Sequence, residues 1–448
     1  MYKIFLYVLL YIVTFLIIWS TSVLTPEQDN NFPIIRLIII FFASMLLVKY
    51  FLYMLISPWN DVVVAYKNKK NACYARLYRP MVSVLIPAWN EETGIIETIK
   101  TILKSTYKNL EIIVVNDGST DNSDKLIRSF IRSYNARCRK QKIKNKINIV
   151  YQYKENGGKG TALNTAIKLS KGEILLSIDA DCVVMKDTIK NFVNYFVDPN
   201  VMAAVGNVKI GNTQKIVGVI QYLEFLFSFY FKKADSVVNT IYIIGGAAGA
   251  FRREVFEKVG FYSTTNITED IELSVRIQQA GMKIVYASDA IVYTEGASRL
   301  GDLMKQRLRW KRGRFETLLT HRDLFFSLDK KHNKLLSWII LPFAYFGELQ
   351  LSLEPLFLLF LYVYSFLVND FSSFISGIVV VASMFFIQIF FDDKKDKSIA
   401  FYLLAPIGWL LFYIATFVEF NALFKSAWGL WRKHELKWQK WQRVGVHG

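Results

Sequence analysis

Glu111–Thr120 reads EIIVVNDGST: an unbroken apolar run, Ile112 to Val115, that stops abruptly at Asn116-Asp117-Gly118-Ser119. β-Branched residues without polar alternation describe a strand buried on both faces, and Asn-Asp-Gly-Ser is turn chemistry. A helical pattern begins near Asp121. The same unit recurs in VSVLIPAWN (Val82 to Asn90), followed by a helix from near Glu91, in INIVYQY (Ile147 to Tyr153) and in EILLSIDAD (Glu173 to Asp181). Strands alternating with helices predict an α/β domain with a mainly parallel sheet, covered on both faces, of the nucleotide-binding type. Such sheets bind ligands beyond the carboxyl ends of their strands. Three of the expected strands end in polar clusters, Asn90-Glu91-Glu92, Asn116 to Ser119 and Asp179-Ala180-Asp181, so the site is expected at that edge.

Asp179 and Asp181 flank one small residue at the end of the run Ile174 to Ile178. Two carboxylates so close repel each other, and a hard divalent cation relieves them; Mg2+ takes one or two carboxylates and fills its shell with water and phosphate oxygens. A turn also accommodates Asp-x-Asp. Asp117 suits a hydrogen bond to a base or ribose, or an Asp-Gly turn. In NGGKGTALN (Asn156 to Asn164) backbone N–H groups and Lys159 can face an anion at a helix start, while the spacing is not that of a Walker loop and a plain strand-to-helix turn reads equally well. GGAAGAF (Gly245 to Phe251) permits close approach of a ligand or a tight bend between packed strands.

ITEDIEL (Ile267 to Leu273) puts Glu269 and Asp270 in the first turn of a helix capped by Asn266 or Thr268, where the macrodipole favours acid. QRLRW (Gln306 to Trp310) lies in a basic amphipathic segment, Arg299 to Arg314. One face of that segment suits a lipid surface, and the other leaves Arg309 and Trp310 for the crevice. The basic stretch Arg132 to Lys146 reads as a solvated loop.

The chain of 448 residues is 53% hydrophobic and 15% aromatic, high for a soluble protein. The surplus lies at the ends. Ile4 to Leu24 and Phe32 to Ile56 are each long enough to cross a hydrocarbon core of roughly 30 Å. Leu335 to Val368, Phe371 to Phe391 and Ser398 to Phe424 repeat the pattern. The first run lacks a small-residue cleavage site and outlasts a signal h-region. The expected organisation is two transmembrane helices in 1–60, a cytoplasmic domain in 61–300, an amphipathic interfacial region in 301–334, C-terminal transmembrane helices in 335–424 and a basic tail in 425–448. About four to six crossings follow. The loop Pro26 to Asn31 carries Glu27 and Asp29 and no Lys or Arg, which places it outside and the middle domain in the cytoplasm.

The net charge of +18 sits on the middle domain and beside the spans, without a nucleic-acid motif, so no nucleic acid is expected as a partner. Three cysteines, Cys73, Cys138 and Cys182, lack metal-ligand spacing and predict no disulfide framework.

In order, P-x-x-N-E-E (Pro87 to Glu92), N-D-G-S (Asn116 to Ser119), N-x-G-K (Asn156 to Lys159), D-A-D, T-E-D (Thr268 to Asp270) and Q-x-x-R-W resemble the family 2 processive glycosyltransferases, which include the cellulose, hyaluronan and chitooligosaccharide synthases. The resemblance spans about Met81 to Gly313. Through AVGNVKI (Ala204 to Ile210), NITEDIELSVRIQ (Asn266 to Gln278) and KQRLRWKRG (Lys305 to Gly313) the chain is most similar to bacterial poly-β-1,6-N-acetylglucosamine synthases. It departs from them at Gly245-Gly246, where Ser-Gly is expected, and in VYTEGASRL (Val292 to Leu300), which lacks the usual Pro.

The resemblance implies a GT-A type domain and inverting, processive transfer from a UDP-sugar, most readily UDP-GlcNAc, to a growing polysaccharide, at the inner membrane. Pro87, Asn90, Glu91, Asp117, Lys159 and Gly246 would serve the nucleotide sugar. Asp179 and Asp181 would hold Mg2+ or Mn2+ and the diphosphate. Asp270 would be the general base with Glu269 shaping its loop, and Gln306, Arg309 and Trp310 would hold the leaving diphosphate and the acceptor. Membrane lipids and a small accessory membrane subunit are the implied partners. A hyaluronan-, chitin- or cellulose-type synthase, or a non-processive transferase to a lipid-linked acceptor, are the alternatives.

Overall fold

The computed structural model describes residues 33–143, 146–369, 371–390, 404, 407–432 and 445–446. Its strands are β1 (Val82–Ala88), β2 (Leu110–Asp117), β3 (Asn148–Lys154), β4 (Ile174–Ser177), β5 (Val183–Val184), β6 (Val201–Ile210), β7 (Gly249–Arg252) and β8 (Lys283–Thr294). Helices α1 (Pro33–Lys70) and α2 (Ala72–Leu77) precede the sheet. Within the domain lie α3 (Ile95–Leu103), α4 (Ser123–Lys140), α5 (Lys159–Leu169), α6 (Thr188–Tyr195), α7 (Ile216–Val238), α8 (Arg253–Val259), α9 (Glu269–Gln279) and α10 (Leu300–Thr320). A π-turn at Leu336–Ile340 leads into α11 (Leu341–Val368), followed by α12 (Ser372–Phe390) and α13 (Gly408–Trp431).

β1 and β2 are buried at every position, as their unbroken apolar runs require. Alternate residues face opposite cores. Val82, Val84, Ile112 and Val114 meet Ile95, Ile99 and Ile102 of α3, Ile127 of α4 and Phe192 of α6. Leu85, Ile113 and Val115 meet Ala162, Leu163 and Ala166 of α5, Val255 of α8 and Leu273 of α9. One sheet of eight strands, in the order β3-β2-β1-β4-β7-β6-β8-β5, thus lies between two helical layers.

β1 pairs parallel with both β2 and β4. The chain leaves β1 on one side for β2 and β3 and returns on the other for β4, which opens a crevice beyond their carboxyl ends. Pro87 lies past the last β1–β4 pair, Leu85 with Ser177, where a missing N–H costs no ladder bond.

Several expectations need correction. The sheet is mainly parallel, as expected, but mixed: β7 runs antiparallel to β4 and β6, and β5 antiparallel to β8, while the other six strands share one direction. GGAAGAF enters the sheet from the ligand edge, so its Gly249–Arg252 segment runs against β4, and at its start a glycine is required: a Cβ on Gly249 would lie 2.9 Å from Ile244. Helix α3 starts at Ile95, not near Glu91, since Asn90 turns the chain at φ 54° and the Gly94 N–H bonds the Glu91 carbonyl. Most of the basic stretch expected as a loop is helical, for α4 continues through Lys140 with Arg137, Arg139 and Lys140 in its last turn, where the helix dipole favours cations.

Of the apolar runs, Ile4 to Leu24 lies outside the described residues, as does most of the basic tail. Most of Phe32 to Ile56 falls in α1, and the later runs fall largely in α11, α12 and α13. Among the described residues no helix is long and apolar enough to cross a membrane, so the expected flanking spans are not shown.

Candidate active site

The polar ends of β1, β2 and β4 and the start of α5 build the floor of the crevice. Asn90 stitches the first two loops together: its backbone N–H donates to Ser119 Oγ (2.8 Å) and its Oδ1 accepts from the Thr120 N–H (2.7 Å). The Glu91 N–H donates to Ser123 Oγ at 2.9 Å, fixing the next turn against α4. Asp117, 3% exposed, directs its carboxylate into the glycine loop. It accepts from Lys154 Nζ (2.5 Å) and from the N–H groups of Gly157 (3.1 Å) and Gly158 (2.8 Å). Gly118, at φ +70°, lets Asn156 approach, since a Cβ there would stand 2.7 Å from the Asn156 nitrogen.

That loop delivers Lys159 to the acids. Its ammonium lies 2.6 Å from Asp179 Oδ1 and 3.5 Å from Glu269 Oε1. Burial pulls the lysine toward neutrality, but Asp179, Glu269 and Asp270 outweigh it and hold the ammonium well above its ordinary value. Burial, joined by the neighbouring Asp270, pushes the Glu269 carboxyl up against the opposing pull of Lys159 and Arg309. Lys159 is therefore a fixed positive charge amid carboxylates.

Asp270 is held by two backbone donors. Its Oδ2 accepts from the Gly246 N–H (2.8 Å) and its Oδ1 from the Ile271 N–H (2.9 Å). A Cβ on Gly246 would stand 2.4 Å from Lys159 Nζ, so a glycine is needed for the loop, the lysine and the aspartate to meet. Ser177 Oγ anchors the same loop by donating to the Gly246 carbonyl at 3.3 Å. Thr268 occupies the cap position of α9, yet its side chain makes no capping bond. Its hydroxyl donates instead to Asn266 Oδ1 (3.1 Å), and Asn266 reaches Thr317 of α10 at 3.0 Å. The acid turn is thus tied to the following helix.

Asp181 is buried beside Thr294, whose hydroxyl donates to Asp181 Oδ1 at 3.4 Å, and beside the Cys182 thiol, which burial and then Asp181 push well above its usual value. On α10, Gln306 is buried with its Oε1 unpartnered. The Arg309 charge acts on Glu269. The Trp310 ring packs 6.3 Å from Phe225, with the Arg307 guanidinium 4.4 Å from its centre.

The structure therefore brings Lys159 into direct contact with Asp179 and Glu269 and Gly246 with Asp270, ties Asp117 to the glycine loop just before Lys159, keeps Asp181 two residues from Asp179, and brings Arg309 within electrostatic reach. Asn90, Glu91 and Pro87 shape the neighbouring loops.

Three residues here escaped the sequence reading. Lys154 is the register partner of Asp117 across β2 and β3, a signal available by levelling the strand ends. Lys232 of α7 donates to the Ile243 carbonyl at 3.0 Å; burial lowers its ammonium to about 8, against the pull of Asp235 and Asp270. Tyr262, whose hydroxyl burial and Glu269 push up, is placed only by tertiary packing and leaves no local signal.

The sequence matches two family models, Glycosyl transferase family 2 over residues 83–260 and Glycosyl transferase family group 2 over residues 174–416. A poly-beta-1,6-N-acetyl-D-glucosamine synthase of Staphylococcus epidermidis is 28% identical over 329 residues, covering 71% of this chain and 76% of the relative. One from Staphylococcus aureus (strain COL) is 31% identical over 282 residues, 59% of this chain and 64% of the relative. In fold the chain is similar to a mannosyltransferase from Pyrobaculum calidifontis, solved with GDP-Man and Mn2+, at a TM-score of 0.51 and 20% identity, over 85% of this chain and 99% of that one. The second family model alone spans more than half of the sequence, and the crevice it covers holds the Asp-x-Asp, Thr-Glu-Asp and Gln-x-x-Arg-Trp residues just described: the chain belongs to the family 2 glycosyltransferases.

Proposed function

We propose that this glycosyltransferase is a membrane-embedded, inverting and processive enzyme that polymerises UDP-GlcNAc into poly-β-1,6-N-acetylglucosamine and exports the product across the inner membrane. The observation that carries the reading is the meeting of Lys159, Asp179 and Glu269 beside an Asp270 carboxylate clamped by Gly246 and Ile271. The names of the relatives, poly-beta-1,6-N-acetyl-D-glucosamine synthases, support the product. Membrane embedding is supported by the apolar runs of the sequence and by the charge of the Pro26 to Asn31 loop.

Attack by an acceptor hydroxyl forms the bond to the anomeric carbon as the bond from that carbon to the diphosphate oxygen breaks. Asp270 takes the hydroxyl proton, and its two backbone donors fix the direction in which it accepts. A single base and no covalent intermediate give inversion. Lys159 and Arg309 supply positive charge where the diphosphate departs. Asn90, Glu91 and Asp117 hold the loops that receive the nucleotide, and Trp310 offers a stacking face to a pyranose.

Asp179 and Asp181 supply two carboxylates, the number Mg2+ or Mn2+ takes when diphosphate and water complete its shell. Among the described residues no group of three or more His, Cys, Asp and Glu side chains is placed to hold a metal ion. A bound cation there would offset the charge developing on the leaving diphosphate.

Purified full-length protein in detergent, given Mg2+ and each UDP-sugar in turn, tests the reading. UDP release with long polymer from UDP-GlcNAc alone supports it. Polymer from UDP-glucose alone would favour a cellulose-type synthase, and single transfers would remove processivity. Asp270→Asn is expected to fold and bind UDP normally while polymer formation falls by more than about 10^2-fold; retained synthesis refutes the base assignment.

A further inference from the structure

The Gly246 N–H that clamps Asp270 belongs to a short loop, Ile243 to Gly246, and side chains from separate elements fasten that loop. Ser177, at the end of β4, donates to the Gly246 carbonyl at 3.3 Å. Ser274, fully buried on α9, accepts from the Ile244 N–H (2.9 Å) and donates to the Asp270 carbonyl (2.5 Å), so the loop and the turn that carries the base share one hydroxyl. The Ile243 carbonyl accepts from Lys232 Nζ of α7 at 3.0 Å. With the loop so held, the Gly246 N–H stands 2.8 Å from Asp270 Oδ2.

Lys232 is charged where the two serines are not. Its ammonium lies 5.2 Å from the centre of the Phe229 ring, which stacks on Tyr286 of β8 at 5.9 Å. Burial lowers that ammonium to about 8, opposed by Asp235 on the same helix and by Asp270 on α9. The other charges along α7 are engaged elsewhere: Lys233 with Asp61 of α1 (3.1 Å) and Glu224 with Arg307 of α10 (2.7 Å). Asp235 accepts from Tyr53 of α1 (3.0 Å) and from Thr240 (2.8 Å). A charged donor holds a carbonyl about twice as strongly as a neutral one, so the protonation of Lys232 sets how firmly Ile243 is fastened.

We propose that Lys232 is a positioning residue for the base, fastening the Ile243 carbonyl so that the Gly246 N–H stays on Asp270 Oδ2 and keeping a positive charge within reach of that carboxylate. The proposal rests on the reading of Asp270 as general base. Lys232 acts through the loop and not on the substrate, whose nucleotide is received by the loops of Asp117 and Lys159. Below about pH 8 the ammonium is charged and the loop is firm; above it the proton is lost, the Ile243 bond weakens and Asp270 accepts from a less defined direction. Transfer slows while donor binding is kept.

The test follows UDP release by full-length protein in detergent with Mg2+ and the UDP-sugar that the wild type turns over, UDP-GlcNAc on the reading above, from about pH 6.5 to about pH 9.5. Lys232→Met is expected to lower kcat roughly tenfold near neutral pH, with the donor KM and the UDP affinity within about twofold of wild type. Wild-type kcat is expected to descend through about pH 8 toward that of Lys232→Met, which shows no such descent. A guanidinium keeps its charge over this range, so Lys232→Arg is expected to recover about half of the wild-type kcat and to lack the descent as well. Wild-type kcat in Lys232→Met, the same alkaline descent in all three proteins, or a loss of UDP affinity and Tm that accounts for the lost rate overturns the proposal. Asp270→Asn, assayed alongside, separates the two readings. If it keeps wild-type kcat, the base assignment falls and this proposal with it; if it is inactive while Lys232→Met is unimpaired, this proposal alone falls.

Discussion

Lys159 is the cation that joins the acids of the crevice. Its ammonium sits between Asp179 and Glu269, and Gly246 lacks a Cβ where that ammonium must pass. Lys159→Met keeps the length and removes the charge. UDP release is then expected to fall by roughly 10^2–10^3, the usual effect of deleting one electrostatic stabiliser. Burial, no longer opposed by the lysine, would carry the Glu269 carboxyl still higher. Steady-state UDP release and UDP affinity measured on the variant check this; full activity would show that the lysine serves the fold alone. Lys159 was legible in the sequence as part of a glycine turn before a helix, but its pairing with Glu269 was not: Glu269 is far along the chain and was read as acid at a helix start and, through the resemblance, as shaping the Asp270 loop.

Helix α10 is the element that completes the crevice, and a glycine sets its distance. A Cβ on Gly313 would stand 2.1 Å from Thr268 Oγ1, at the residue that starts α9. The final glycine of KQRLRWKRG therefore lets α10 lie against the turn that carries Glu269 and Asp270. Gly313→Ala is expected to cost about 1–3 kcal/mol through overpacking and to lower activity by displacing Arg309 from Glu269. Thermal unfolding and UDP release, compared with Gly301→Ala, whose added Cβ meets nothing within 4 Å, check the claim. On its buried side α10 is anchored by charge: Arg307 pairs with Glu224 (2.7 Å) and Glu419 (3.2 Å), and Lys311 with Glu348 (2.7 Å) and Glu419 (2.8 Å). Those pairs join α10 to α7, α11 and α13. The basic residues looked from the sequence like a lipid-facing stripe, and part of that stripe is in fact an interior network.

At the scale of the whole molecule, Asp198 ties the N-terminal helix to the sheet, 3.2 Å from Lys67 of α1 and 3.2 Å from Lys283 of β8. Burial alone would raise its pKa, but the Asn200 N–H, Lys283 and Lys67 lower it to about 2. A carboxylate depressed in the folded state stabilises above its ordinary value, near 4, and loses that contribution as pH falls through about 2. Wild type is expected to lose about 1–2 kcal/mol over that interval from this residue, discounted for the exposed Lys67. Asp198→Asn should flatten this part of the pH dependence of Tm, and an unchanged slope would remove the claim. By itself the sequence determined the buried strands β1, β2 and β4, the edge at which their polar ends gather, and the ordered motifs of the family, because apolar periodicity and turn chemistry are local. Only the tertiary structure decided the antiparallel insertion of β7, the helical course of the basic stretch, and the meeting of Lys159 with Asp179 and Glu269. Those outcomes depend on distances between segments far apart in the chain, fixed by which small residues let backbones approach, and no local pattern encodes them.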